Sequence, residues 1–263
     1  MNVFSKIVTL LIILVSLQSC ALFSAAGLST QGQPIKQVTP QLTSANTSLV
    51  DHSQWNTLLQ KYVTDEGWVN YEGFQKEQNT LENYLTLLSN NAPKKNWSVQ
   101  ELLAYYINLY NAHTVKLIVD HYPTESIKDI NGPWTRGIVP IGNRNLSLGG
   151  IENGILRKMN EPRIHFAINC ASVSCPKLLN EAYVANKIEE QLDQVTRAFI
   201  DGPKNEISAS NPKLSSIFDW YAKDFTINGK QDVIGYINQY VDDPINDNAT
   251  VEYLEYDWNL NKQ

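Results

Sequence analysis

The chain has 263 residues, 43% of them hydrophobic and 10% aromatic, with 21 Lys and Arg against 27 Asp and Glu for a formal net charge of −6. That length suffices for one domain with a substantial core, or for two small ones. The acidic balance gives no electrostatic reason to bind nucleic acid or an anionic bilayer surface.

The start of the chain reads as a secretion leader. Lys6 is the positive n-region, Ile7 to Leu17 is apolar, and small residues follow at Ser19 and Ala21. The apolar run of about 11 residues is too short to span a bilayer. Leu17-Gln18-Ser19-Cys20 resembles the bacterial lipobox, in which the leader is cut before the cysteine and the thiol carries a diacylglycerol. The expectation is therefore a signal peptide over residues 1–19 and lipidation at Cys20. The membrane then becomes a partner through the lipid, since each buried acyl methylene holds the chain by about 0.8 kcal/mol. Ala21 after the cysteine points to the outer membrane, facing the periplasm, in a Gram-negative cell. Losing residues 1–19 removes one Lys and no acid, so −6 becomes −7.

Residues 20–48 complete a lipidated N-terminus and tether, rich in Ser, Thr, Gln, Gly and Pro and without periodicity. As a flexible coil, its last 28 or so residues span on the order of 30 Å. Residues 49–263 show no repeat and no internal linker. They are expected to form one α+β domain, several helices packed around a small, mostly antiparallel sheet.

Trp55, Leu58, Leu59 and Tyr62 recur at helical spacing, and Asp65-Glu66-Gly67 stops that helix before a short strand-like Trp68-Val69-Asn70-Tyr71. Leu81, Tyr84, Leu85 and Leu88 repeat the helical period. Ser98, with Glu101 three residues on, reads as a capping box, and Trp97 against Leu102 as a hydrophobic staple. The helix from Leu102 to His121 is the most apolar and hence the buried one, yet Glu101, Tyr105, Asn108 and Asn111 form a polar stripe along it. Buried amides need partners, so the stripe either supports neighbouring loops or faces a site. Pro123 ends this helix. Ile138 to Ile141 and Asn145-Leu146 flank Gly142-Asn143-Arg144 as a hairpin, and Ser147 caps a following helix.

The chemistry concentrates in Pro162 to Leu178, which holds a histidine and the two cysteines that follow Cys20. Ile164, Phe166 and Ile168 alternate with His165, Ala167 and Asn169, the period of a strand, and Ala171-Ser172-Val173-Ser174 then runs as a loop to Pro176. Beyond it, Val184 to Ile200, Leu214 to Phe225 and Val233 to Tyr240 read as helices, and Val251 to Trp258 as strand-like.

Several of these blocks together resemble the bacterial members of the domain of unknown function 547 family. They are Leu103 to Ala112, Leu146-Ser147-Leu148 leading to Ile151-Glu152 and Ile155-Leu156-Arg157, Arg163 to Cys170, and Tyr256 to Asn261. The resemblance spans most of residues 97–261. It implies no assigned activity, and it implies a histidine after Glu152, where this chain has Asn153. A more distant likeness to papain- and transglutaminase-like thiol enzymes rests on a buried helix plus a histidine-bearing strand.

A thiol nucleophile needs a base in reach and a group to orient that base. The residues offer Cys170 as nucleophile, His165 as base and Asn108 as orienting group, for hydrolysis or acyl transfer on an amide or ester of an unidentified envelope substrate or protein partner. Along an extended strand, positions 165 and 169 lie roughly 13 Å apart, so the pair meets only if the loop reverses. The competing reading is a non-catalytic binding or scaffolding module with a Cys170–Cys175 disulfide, since an exported chain meets an oxidising compartment and the count is even. No metal set is implied, because His165, Cys170 and Cys175 supply three ligands only. No cofactor is implied either, as Gly149-Gly150 lacks the spacing and basic residue of a phosphate loop.

Overall fold

The computed structural model describes residues 27–39 and 48–263. The leader and Cys20 lie outside the described residues. The molecule is organised around one helix, α4 (Val99–His121), which is buried from Glu101 to Val115 and again over Leu117, Ile118 and Val119. Ser98 starts it as expected, its side chain accepting from the Glu101 N–H at 3.1 Å. The reciprocal half of the capping box is absent. Glu101 turns its Oε1 to the N–H groups of Leu49 and Val50, at 2.9 and 3.0 Å, and ties the start of the domain to the head of α4.

Three helices precede it: α1 (Ser53–Tyr62), α2 (Tyr71–Lys76) and α3 (Gln78–Asn90), which bury Trp55, Phe74 and Tyr84 beside α4. After it come strands β1 (Val139–Ile141) and β2 (Arg144–Leu146), paired antiparallel as expected with Val139 opposite Leu146. Ser147 caps α5 (Leu148–Gly154), its Oγ accepting from Gly150 N at 3.0 Å. Glycine in α5 serves close approach, because a Cβ on Gly154 would stand 2.8 Å from the Cγ of Gln31.

Gln31 belongs to the expected tether, which over residues 27–39 is docked. Val38 N–H donates to Met159 O at 2.8 Å, and the buried Tyr106 hydroxyl donates to Pro34 O at 2.8 Å. A hydroxyl inside an apolar core needs an acceptor, and this stretch supplies it.

The segment expected to be a strand at 163–169 is instead a helical turn, α6 (Ile164–Ala167). Pro162 sits where a helix tolerates proline, His165 N–H bonds back to Pro162 O and Ile168 N–H to Ile164 O. Ile164, Ala167 and Ile168 satisfy the i, i+3, i+4 spacing as well as alternation, and all four residues of α6 are buried. The next helix is α7 (Ile188–Ile200), four residues shorter at its start than expected. Gln191 takes the Val184 N–H and the Ala182 C=O there, holding that stretch as a loop.

The helix expected over 214–225 is broken into β3 (Lys213–Ser215), α8 (Ile217–Trp220) and a 3-10 turn at Ala222–Asp224. Paired serines explain the break, since Ser215 Oγ accepts from Ile217 N and Ser216 Oγ donates to Leu254 O. Strands β4 (Thr226–Ile227) and β5 (Lys230–Gln231) form a second antiparallel ribbon, and α9 (Val233–Ile237) follows. The tail contributes β6 (Glu252–Leu254), parallel to β3. The fold is α+β, with its small sheet divided among the described residues into three two-stranded pieces, two of them antiparallel.

Candidate functional site

A pocket of about 80 Å³ opens where α4, α5, α6, the cysteine loop, α8 and the tail converge. One water needs roughly 10–15 Å³ of such space, so the pocket admits a small organic group. His165, Cys170 and Cys175 line it, as do Glu152, Tyr110, Tyr221 and Tyr256.

The loop that carries the thiols is held from α4. Asn111 donates to Ala167 O at 2.9 Å and accepts from Asn169 N at 2.9 Å, joining the end of α6 to the loop. Asn169 then folds the loop, its Oδ1 accepting from Ala171 N at 2.8 Å and its Nδ2 donating to Pro176 O at 2.7 Å. Ala171 is driven to φ 61°, a left-handed conformation that costs a non-glycine residue roughly 1–2 kcal/mol. The tail braces this strained point, with Asn261 N–H on Ala171 O. The chain therefore turns directly after Cys170, and Cys170 and His165 line one pocket.

Both cysteines are free thiols in this structure. They are unequal. Cys175 is buried, and burial, with its bond to Cys170, pushes its thiol up. Its sulfur accepts from Cys170 N at 2.9 Å. Cys170 is half-buried and pulled down to about 7 by hydrogen bonds from the Cys175 thiol and from the Ser172 and Tyr256 hydroxyls, against the opposing effect of burial. Both hydroxyl oxygens lie 3.2 Å from its sulfur and 3.0 Å from each other. Each hydroxyl has one proton, so Ser172 donating to Tyr256 and Tyr256 donating to the sulfur is one consistent arrangement.

His165 is buried, stacked on Tyr221 with ring centroids 4.0 Å apart, and its Nε2 stands 2.8 Å from Asp224 Oδ2. Burial disfavours the Asp224 charge, but bonds from His165 and from Arg157 outweigh it and hold the carboxyl well below the usual range. Arg157 grips Asp224 through Nε and Nη2. An ionised carboxylate only accepts, so Nε2 carries the proton and Nδ1 is left with the lone pair whenever the ring is neutral. Glu152 is buried in α5 and accepts from the hydroxyls of Tyr221 and Tyr110, whose own protons are secured by burial.

Asn108 is not part of this arrangement. Its amide donates to Tyr183 O at 2.7 Å and accepts from Tyr183 N at 3.0 Å, which uses its side chain to hold the loop before α7. The group that orients His165 is Asp224. Of the polar stripe, Tyr105 bonds Leu88 O, so Asn111 alone reaches the site, through the backbone. Sequence reasoning did not single out Asp224, Tyr221, Glu152 or Tyr256 for the site. Glu152 and Tyr256 lay inside blocks that carry the family resemblance, whereas Asp224 has no local signal. Among the described residues, no group of three or more His, Cys, Asp or Glu is arranged to hold a metal ion, and no helix is long and apolar enough to cross a membrane.

Compared with known proteins, the chain matches the family model described as Protein of unknown function, DUF547, over residues 94–200. No curated protein and no solved structure matches it. These comparisons lend no support to the likeness to papain- and transglutaminase-like enzymes. The tail block 256–261 and Asp224 lie outside the matched stretch, which brings Tyr110, Glu152, His165 and both cysteines to the pocket. What the comparisons show is thus a likeness over residues 94–200 to the DUF547 family of proteins of unknown function.

Proposed function

We propose that this is a lipid-anchored protein of the cell envelope whose pocket carries out thiol-dependent hydrolysis or acyl transfer on an amide or ester. Cys170 is the nucleophile, His165 the base and Asp224 the residue that positions the base. The observation that carries the reading is the difference between the two thiols: Cys170 alone combines partial exposure with hydroxyl donors on its sulfur, in a pocket shared with a carboxylate-held imidazole. A depressed thiol beside a base is what nucleophilic cysteines require. In the first half-reaction the sulfur bonds to the acyl carbon, the amine or alcohol departs, and His165 returns the cysteine proton to it. Water or an acceptor amine then attacks the thioester and releases the thiol.

The test is the pH profile of Cys170 alkylation by iodoacetamide, read by mass spectrometry, alongside turnover of p-nitrophenyl acetate. Tyr256→Phe removes one donor to the thiolate, and with a charged hydrogen bond worth roughly 1.5–3 kcal/mol the profile should move up by at least about one pH unit. Cys170→Ala should abolish turnover. A chain with no free thiol before reduction, or one whose Cys170 and Cys175 react alike, refutes the reading. The envelope location rests on the leader and Leu17-Gln18-Ser19-Cys20. Membrane association that survives Cys20→Ala refutes the anchor.

A further inference from the structure

We infer that the pocket beside Cys170 is an aromatic cage for a small alkylammonium group, so that the substrate of the proposed thiol chemistry carries a cationic amine. The word substrate rests on that reading, whereas the binding does not.

Six aromatic side chains line the pocket: Tyr110, Trp134, Trp220, Tyr221, Tyr256 and Trp258. Four form a continuous wall. Ring centroids of Tyr256 and Trp258 are 4.5 Å apart, those of Trp220 and Tyr256 4.8 Å, and Trp134 meets Trp258 edge-on at 5.7 Å. Trp220 is 48% exposed, an unusual position for so large an apolar ring unless it borders a binding mouth. Ring faces carry negative potential, and a cation within about 6 Å of a centroid is attracted to them.

The charged groups agree in sign. Glu152 is 6% exposed and lines the same space, and no Lys or Arg does. His165 is the one basic side chain there, and its Nε2 is already bonded to Asp224. The Cys170 thiolate adds negative charge when formed. An anionic ligand would meet the Glu152 carboxylate and no free cation, a neutral apolar ligand would gain nothing from that charge, and an ammonium ion is attracted by both the rings and the carboxylate. Two rings already hold cations of the chain itself, Lys128 Nζ 5.2 Å from the Trp258 ring and Arg157 Cζ 5.2 Å from that of Tyr221. Neither cation lines the pocket. The cage stands beside the nucleophile, so an amine seated in it could direct the acyl group of its own molecule onto Cys170 or serve as its acceptor's anchor.

The experiment compares choline with its uncharged isostere 3,3-dimethylbutan-1-ol and with butyrate, by calorimetry and tryptophan fluorescence at constant ionic strength, on the full chain. Choline should bind at least about tenfold tighter than the alcohol, and butyrate should not bind. Glu152→Gln, which removes the charge and keeps an acceptor oxygen for one of the two tyrosines, should reduce that preference severalfold. Trp220→Leu, at an exposed position that does not threaten folding, should weaken choline binding and spare the thermal midpoint. Cys170→Ala should still bind choline in preference to the alcohol through the rings and Glu152, so absent thiol chemistry with that preference intact defeats only the enzymatic reading. Equal affinity for choline and the alcohol, tighter binding of butyrate, or no detectable binding of any of the three overturns the cage, whatever Cys170 does.

Discussion

His165 and Asp224, 59 residues apart in the chain, meet with Nε2 and Oδ2 2.8 Å apart, and Arg157 donates to both oxygens of the same carboxylate. The pair sets which imidazole nitrogen keeps a lone pair, and that assignment depends on charge rather than shape.

Asp224→Asn tests it. An amide nearly preserves the contact but can donate to Nε2, which moves the ring proton to Nδ1 and disarms His165 as a base. Since a positioned general base contributes about 10²–10⁴ in rate, ester turnover should fall by about 10²-fold or more while the fold persists. Circular dichroism checks the fold and kcat/KM the effect. Unchanged kcat/KM would leave His165 without a part as base.

The two asparagines of α4 should separate stability from chemistry. Asn108→Ala strands the Tyr183 N–H and C=O, and Asn111→Ala strands Ala167 C=O and Asn169 N–H, all at buried positions. Two unsatisfied groups cost roughly 2–4 kcal/mol in each case, visible as a lower urea midpoint. Only Asn111→Ala should alter Cys170 alkylation, because it frees the loop that presents the thiol. The opposite pattern, with Asn108→Ala slowing alkylation, would contradict the arrangement.

Acid should destabilise the molecule through two histidines outside the pocket. His52 is bonded to Tyr84 and His113 lies in α4; both are buried, and neither Nε2 has a partner among the described residues. Burial lowers His52 to about 4 and His113 to about 3. The folded state thus holds the neutral rings, and unfolding takes up protons once the pH is below about 6.5. Their neutral forms fold without penalty above that pH. As the pH falls, stability drops by up to roughly 1.4 kcal/mol per unit for each histidine, until about pH 4 for His52 and about pH 3 for His113. Glu101, raised by burial, acts in the opposite sense over part of that range. Denaturant midpoints measured from pH 7 to 4 should fall, and His113→Leu should flatten the slope. An unchanged slope in that variant would remove His113 from the account.

Read alone, the residues determined whatever local rules govern. Ser98 starts α4 and Ser147 starts α5 because a side-chain oxygen reaches a donor three residues on. The apolar character of α4 marked it as the buried helix, and its polar stripe announced buried partners, either loops to support or a site. Local rules also placed a loop after Cys170, without fixing whether it reverses. Period alone could not decide residues 163–169, where a short apolar run fits strand and helix alike, and the tertiary structure packs it as α6 with Phe166 against Phe225. Tertiary structure decided the site. Tyr256 reaches Cys170 from 86 residues away, Tyr221 reaches Glu152 from 69, and Asp224 reaches His165 from 59. Such partners are chosen by which buried donors and acceptors remain unpaired after the core has closed, a condition no window of a few residues contains.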